Sequence, residues 1–337
     1  TITSLIQLEY SGFEGATVPV CTFTLENSNR PDFQGGFVRL ADFRGSANQG
    51  PKALEAIQDQ NSSWFYRATA KDFEKIPDSP LAYWVSPQVR SAFSQGSTFK
   101  DLGNPKVGMQ TSNNGKYLRF WHEVSSAPFL DGETNRPEWI KYIKGGAFRR
   151  WYGNLDYILH YKGDESYLLQ QKNATSLPLG NLKKPKGTWT DLTSGRFSAR
   201  FAPEDSFHDI SGHCFYPEKS DQMWLLGYAN TKQFDNFLSI VNSSFHFQVG
   251  DVGKMPILSV ERENVSAIAE TLVASSKSDW DAYETSWDFT TLPLLQHDNR
   301  AETLEDSYNA LRTHWQGMTD EMQRLEEENN SIFIDAY

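Results

Sequence analysis

GRFSARFAP, residues 195–203, alternates apolar with polar side chains: Phe197, Ala199 and Phe201 against Arg196, Ser198 and Arg200. A period of two is that of a β-strand, whose successive side chains point to opposite faces. Working outward, residues 106–260 hold many short strand-like runs separated by Gly, Asn and Pro. One helical stretch near 231–241 precedes the apolar FHFQV run. The pattern predicts an α+β domain made mostly of strands. In 195–203 the two arginines would stand about 13 Å apart, near the spacing of phosphates two steps apart on one strand.

The flanks read differently. TVPVCTFTL at 17–25, GGFVRLADF at 35–43 and the helix-like PKALEAIQD resemble the last strands of an α/β sheet. Pro77, Pro80, Pro87 and Pro105 break the pattern between 61 and 105, with a short helix at 88–94. Residues 264–273 and 279–287 read as short helices, the second with Ser278 as N-cap. In the last segment Leu304, Tyr308, Leu311, Trp315, Met318, Met322 and Leu325 alternate steps of four and three, an a/d seam. About three heptads favour a helix packed on its own domain over an intermolecular coiled coil. The expected units are 1–60, closing strands of a catalytic core; 61–105, a connector; 106–260, a recognition domain; and 261–337, a helical spacer.

The 337 residues include 10 Trp and 22 Phe, and the aromatic share of 14% is high for a soluble protein. Cys21 and Cys214 lie far apart with no C-x-x-C pair, which excludes a disulfide framework and a zinc knuckle. No apolar run approaches a membrane helix and no basic, apolar leader opens the chain, so a reducing cytoplasm is the expected location. The chain starts at Thr1 and ends at Tyr337 inside what reads as a helix or its exit, and is read as a fragment.

A net charge of −11 argues against nucleic acid as a partner. The charge is unevenly spread, however. Residues 61–200 carry 20 Lys and Arg against 12 Asp and Glu, whereas 263–337 carry 4 against 16. A basic middle facing a polyanion, flanked by acidic parts, is one reading, and an uneven solvated surface is the other.

Catalytic signatures fail one after another. No P-loop, H-E-x-x-H or G-x-S-x-G is present, and no glycine-rich turn follows the early strands. There is no Pro-Pro dipeptide, and hence no Asp/Asn-Pro-Pro-aromatic tetrapeptide to hold a flipped adenine. His208, Asp209, His213 and Cys214 are the only metal-like cluster, but strand alternation would scatter them over both faces, so no metal is expected.

Three polar stretches suit DNA instead. In GMQTSNNGKYLRFWHEV at 108–124, Gln110, Asn113 and Asn114 carry the side-chain amides that can bond adenine N6 and N7, Thr111 stands among them, and Lys116 and Arg119 follow at phosphate reach. Asn-Gly at 114–115 is also the strongest short hairpin signal, and a hairpin tip is where a reading loop would sit. KGGAFRRWYGN at 144–154 places Lys144, Arg149 and Arg150 beside Trp151 and Tyr152, a pattern for phosphates and splayed bases or for a solvated face over a core tryptophan. Lys183, Lys184 and Lys186 precede Arg196 and Arg200. The expectation is that Arg149, Arg150, Arg196 and Arg200 form one phosphate-facing surface, with the acidic 263–337 stretch held away from it.

These segments resemble the methyltransferases of BREX phage-exclusion systems, the PglX type. Further stretches carry the same resemblance: IQLEYSGFEGATVPVCTFTL at 6–25, DFEKIPDSPLAYWVS at 72–86, FSARFAPEDSFHDISGHCFYP at 197–217, FQVGDVGKMPI at 247–257, SDWDAYETSWDF at 278–289 and RLEEENNSIFIDAY at 324–337. The resemblance implies a parent enzyme that uses S-adenosylmethionine to methylate adenine N6 in double-stranded DNA. It implies that this chain, lacking the cofactor turn and the tetrapeptide, supplies target recognition and no catalysis. A rival reading from another class is a scaffold whose acidic helices dock other BREX components or a phage-encoded DNA mimic. An aromatic-rich carbohydrate-binding module is a third.

Overall fold

The computed structural model describes every residue except 16–17, 95, 125–137, 164, 243, 258 and 337, and the side chain of 298. Thr17 and Tyr337, named above, therefore lie outside the described residues. The chain divides into two compact units, Thr1–Gly96 and Ser97–Tyr337. The fold is α+β, as the sequence predicts.

In the first unit a four-stranded sheet has the order β2-β1-β3-β4, from β1 (Ile2–Gln7), β2 (Cys21–Leu25), β3 (Gly35–Arg39) and β4 (Phe65–Ala68). β1 and β3 run parallel with Leu5 opposite Phe37, while β2 and β4 pair antiparallel on either side. The proline-rich stretch read as a connector thus supplies the fourth strand. Alternation puts Leu5, Phe37 and Ala68 on one face, where Phe73 and Tyr83 close the core, the latter stacked on Phe37 at 4.9 Å. Val38, Leu40 and Ala56 fill the other face beneath α1 (Ser46–Gln58). Helices α2 (Ala70–Glu74) and α3 (Pro87–Ser94) complete the unit.

The second unit has two sheets. One has the order β10-β6-β7-β5, from β5 (Leu118–Phe120), β6 (Trp139–Ile143), β7 (Tyr157–His160) and β10 (Ser206–His208). β6 and β10 are parallel, and the other neighbours are antiparallel. The other sheet, β11-β8-β9, is antiparallel and joins β8 (Lys186–Trp189), β9 (Ala199–Ala202) and β11 (Cys214–Phe215). Short helices α4 (Phe99–Gly103), α5 (Asn114–Tyr117) and α6 (Glu165–Leu169) fill the connections.

Against the three-stranded sheet lies α7 (Gln222–Ala229), which also meets α8 (Lys232–Val241), capped by Thr231; α8 in turn meets α9 (Val249–Gly253). Beyond Gln222, α7 is apolar all round, and all of it but the partly buried Met223 is buried, as expected for such a helix. It packs on α10 (Arg262–Asp281), one 20-residue helix where the sequence suggests two short ones. Their close approach needs Gly227, because a Cβ there would stand 2.7 Å from Val265.

The last helix, α11 (Leu304–Asp335), buries Leu311 and Leu325 of the expected seam, but Leu304, Tyr308 and Trp315 stay exposed. The burial shifts to Asn329 and Phe333, whose ring stacks on Tyr228 at 5.1 Å. Phe333→Ala should therefore cost about 3–5 kcal/mol, the usual loss for a fully buried phenylalanine. Urea unfolding checks this, and an unchanged midpoint would mean that the end of α11 is not packed as described.

Candidate nucleic-acid interface

At the C-terminal ends of the parallel strands β6 and β10, four loops are laced together. The first follows Gly108, where only glycine fits: a Cβ would stand 2.1 Å from the Asp209 carbonyl oxygen. Met109 N–H donates to His208 O at 2.8 Å and Ile210 N–H to Met109 O at 3.1 Å, extending the sheet by a bridge. Gln110 N–H then donates to Thr175 Oγ1 at 2.8 Å, and its Nε2 to Ser112 Oγ at 2.9 Å. The Gln110 side chain is half-exposed.

Beneath the loops Asp209 is a buried hub. Its carboxylate accepts from the Tyr142 hydroxyl at 2.8 Å, from Ser211 N–H at 2.9 Å and from Ser211 Oγ at 2.6 Å, and Lys144 Nζ lies 3.7 Å away. Burial, with the Asp209 charge beside it, pushes the Tyr142 phenol well above its ordinary pKa, so it stays a donor. Ser211 passes the order on: its Oγ accepts from Gly145 N–H at 3.3 Å and its carbonyl from Asp191 N–H at 3.0 Å. Thr190 meets Gly146, Leu192 bridges His246, and Thr193 N–H donates to Phe245 O at 3.2 Å. The loops at 108–112, 144–148, 190–196 and 244–247 therefore form one end of the domain.

The expected site residues divide. Gln110, Lys144 and Arg196 stand at this end, and Arg196 is exposed with no carboxylate partner among the described residues. Asn113 and Asn114 do not sit on a hairpin. They open α5, with Asn113 Oδ1 accepting from Lys116 N–H at 3.1 Å as an N-cap and Asn114 Oδ1 accepting from the buried Thr111 hydroxyl. Their amide oxygens are already used, so a bidentate hold on adenine would cost the cap. Lys116 lies over the Tyr117 and Tyr167 rings, and Arg119 donates to Gly115 O and Leu118 O, closing α5.

Lys183, Lys184 and Lys186 lie toward the other end of β8, since Lys186 pairs with Ala202 while Trp189 pairs with Ala199. The single surface of four arginines is not found. Arg200 is wholly buried: residues 149–151 run along the edge of β9, with Trp151 N–H donating to Ala199 O and Phe201 N–H to Trp151 O, and the Arg200 guanidinium is turned to Arg149 O and Thr190 Oγ1. Burial pushes the Arg200 guanidinium down to about 10. Nor does the acidic stretch stay away. Asp279 of α10 takes Arg149 at 2.5 Å, and Glu326 of α11 takes Arg150 at 2.6 Å. The tips also display Phe148, Leu192 and Phe245, exposed apolar residues that the sequence reading passed over. Their one sequence signal is a large apolar residue in a short segment rich in Gly, Ser, Thr and Asn.

The metal-like cluster is a core. His208 Nδ1 faces Gly212 O, burial pushes this imidazole down to about 3, and Cys214 is buried beside Thr188. His213 instead faces Asp191 at 3.4 Å. No grouping of metal-ligating side chains occurs among the described residues.

No family model matches the chain. In sequence it is similar to adenine-specific methyltransferases. The adenine-specific methyltransferase PglX of Lacticaseibacillus casei (strain Zhang) is 30% identical over 359 residues, a match covering 100% of this chain and 30% of PglX. BrxX of Escherichia coli O9:H4 (strain HS) is 28% identical over 303 residues, covering 88% of this chain and 24% of BrxX. The chain thus spans less than a third of the length of these curated relatives. Among solved structures, the Type IIL restriction-modification enzyme MmeI in complex with DNA aligns with a TM-score of 0.46 at 9% identity, over 98% of this chain and 43% of that one.

Lys186 gives a direct check on the burial described here. Its ammonium donates to the carbonyls of Asn181, Glu204 and Ser206 at 3.0, 3.1 and 2.8 Å, yet desolvation pushes its pKa down from 10.5 to about 8. Above pH 8 the folded chain loses this proton while the unfolded chain keeps it up to 10.5, so this group's contribution to stability rises with pH across that window. The unfolding free energy of the wild type should therefore climb relative to that of Lys186→Met between pH 8 and 10.5. A constant difference would place Lys186 at the surface.

Proposed function

We propose that this chain is the part of a larger adenine-N6 DNA methyltransferase, of the phage-exclusion (BREX) kind, that recognises double-stranded target DNA. The observation that carries the reading is the end of the strand-rich domain. There Gln110, a side chain able to read an adenine edge, stands on a braced strand extension at the same end as the cations Lys144 and Arg196. Similarity over the whole chain to PglX supports it.

The residues present do not fit an S-adenosylmethionine cradle. The connection from β3 into α1 carries a single glycine, Gly45, and the one from β1 to β2 has no G-x-G. Cofactor and methyl transfer thus belong to the rest of the parent protein, which would act in the cytoplasm. This chain would choose the site.

Base-edge contacts are worth about 1–3 kcal/mol each and phosphate contacts carry no sequence information. Gln110→Ala in the full-length protein should therefore relax the methylated motif at one position. Lys144→Glu with Arg196→Glu should instead weaken all duplexes and lower the slope of log affinity against log salt by about one for each phosphate no longer neutralised. Methylome sequencing and binding at two salt concentrations read these out. An unchanged motif and an unchanged slope together would favour the scaffold reading.

A further inference from the structure

Phe148, Leu192 and Phe245 are 52, 58 and 63% exposed, three large apolar side chains on loops rich in Gly, Ser, Thr and Asn. They come from three separate segments that the fold brings together. Leu192 bridges His246 antiparallel, Thr193 N–H donates to Phe245 O, and a Cβ on Gly195 would stand 3.9 Å from the Phe148 ring. Their backbones are held from below. Gly146 and Thr190 exchange hydrogen bonds at 3.3 and 3.5 Å, Phe247 N–H donates to Asp191 O at 2.7 Å, and Asn242 Nδ2 donates to His246 O at 2.8 Å. Loops braced in this way lose little entropy when they press on a ligand.

The charge around the three side chains indicates which ligand. The segments 144–151, 190–197 and 242–247 contain Lys144, Arg149, Arg150 and Arg196, and their only carboxylate is Asp191. Asp191 is spent on His246 at 3.0 Å and Gln248 at 2.6 Å, and it faces His213 as well. Arg149 and Arg150 are held by Asp279 and Glu326, so the cations left beside the three side chains are Arg196 and, 3.7 Å from Asp209, Lys144. Exposed rings and a leucine on loops that also carry these cations complement a polyanion with an apolar interior, which is a base-paired duplex. Apolar wedges of Phe and Leu enter between base steps, and the unstacking costs a few kcal/mol that a flipped base must meet in any case.

We propose that Phe148, Leu192 and Phe245 form an apolar wedge that unstacks a base step of bound double-stranded DNA beside the bases read from the Gln110 loop. The inference rests on the DNA-recognition reading above. It adds a distortion of the duplex, and so a preference for easily unstacked pyrimidine–purine steps that no base-edge contact reports.

The test uses the full-length protein and duplexes carrying the methylated motif, with 2-aminopurine placed step by step along the site and dyes at the two ends. Wild type should raise 2-aminopurine fluorescence at one step and shorten the end-to-end distance. Phe148→Ser with Phe245→Ser should abolish both and weaken binding to the motif duplex by about ten-fold or more, while the salt slope stays as in wild type. Substitutions at exposed sites leave folding intact, which melting temperature confirms, and Leu192→Ser alone gives an intermediate loss. Wild-type binding with no change in fluorescence or distance, or a double variant that distorts the duplex like wild type, overturns the wedge and leaves DNA recognition standing. Failure of the wild type to bind any duplex overturns both. Loss of association with another protein in the double variant, with DNA binding and distortion unchanged, would assign the three side chains to a protein contact instead.

Discussion

One carboxylate ties the strand-rich part of the second unit to its last helix. Glu326 accepts from the Arg150 guanidinium at 2.6 Å and from the Trp151 indole N–H at 2.8 Å. Trp151 has φ of +70°, a conformation a bulky residue adopts only when its surroundings force it, at a cost of about 1–3 kcal/mol. The surroundings do force it: the ring is 1% exposed, and the backbone on both sides of Trp151 is bonded to β9. With Trp151 fixed, the 149–151 segment lies along the edge of β9, where the Arg149 carbonyl faces the buried Arg200, and residues 144–148 are directed to the end of the domain where the loop after β8 also lies.

The same constraint explains why an acidic chain has a basic middle. Many of the cations there are internal fittings and not a footprint for a polyanion. Arg149 and Arg150 hold α10 and α11, Arg200 and Lys186 satisfy buried carbonyls or a hydroxyl, and Lys141 pairs with Asp205. Partly buried pairs of this kind contribute more to the relative placement of elements than to net stability. What is left at the surface of this end of the domain is small, Arg196 together with a partly screened Lys144.

The α+β class, the strand around Ala199–Ala202, the helix near 231–241 and the long last helix were legible because period is a local property. The side of β9 that Arg200 occupies was not. Alternation correctly put Arg200 opposite Phe201, but it cannot tell that a distant segment will cover the polar face too. Asn-Gly at 114–115 reads as a hairpin from its dihedral preference, yet the cap offered by Asn113 Oδ1 turned it into a helix. Asp209 belongs to a cluster for which the sequence predicts no metal, but its place as the hub beneath the loops was not legible, since its partners Tyr142 and Lys144 lie more than sixty residues away. Exposure of Phe148, Leu192 and Phe245 is likewise a property of the assembled fold.

Hydrogen–deuterium exchange of the full-length protein with and without its motif duplex tests the central claim most directly, because it maps contact without altering a residue. The account predicts slowed exchange in 108–114, 144–148, 190–196 and 244–247, with 181–186 and α11 unchanged. Protection centred on 181–186 or on the acidic face of α11, with the four loops unaffected, would contradict it.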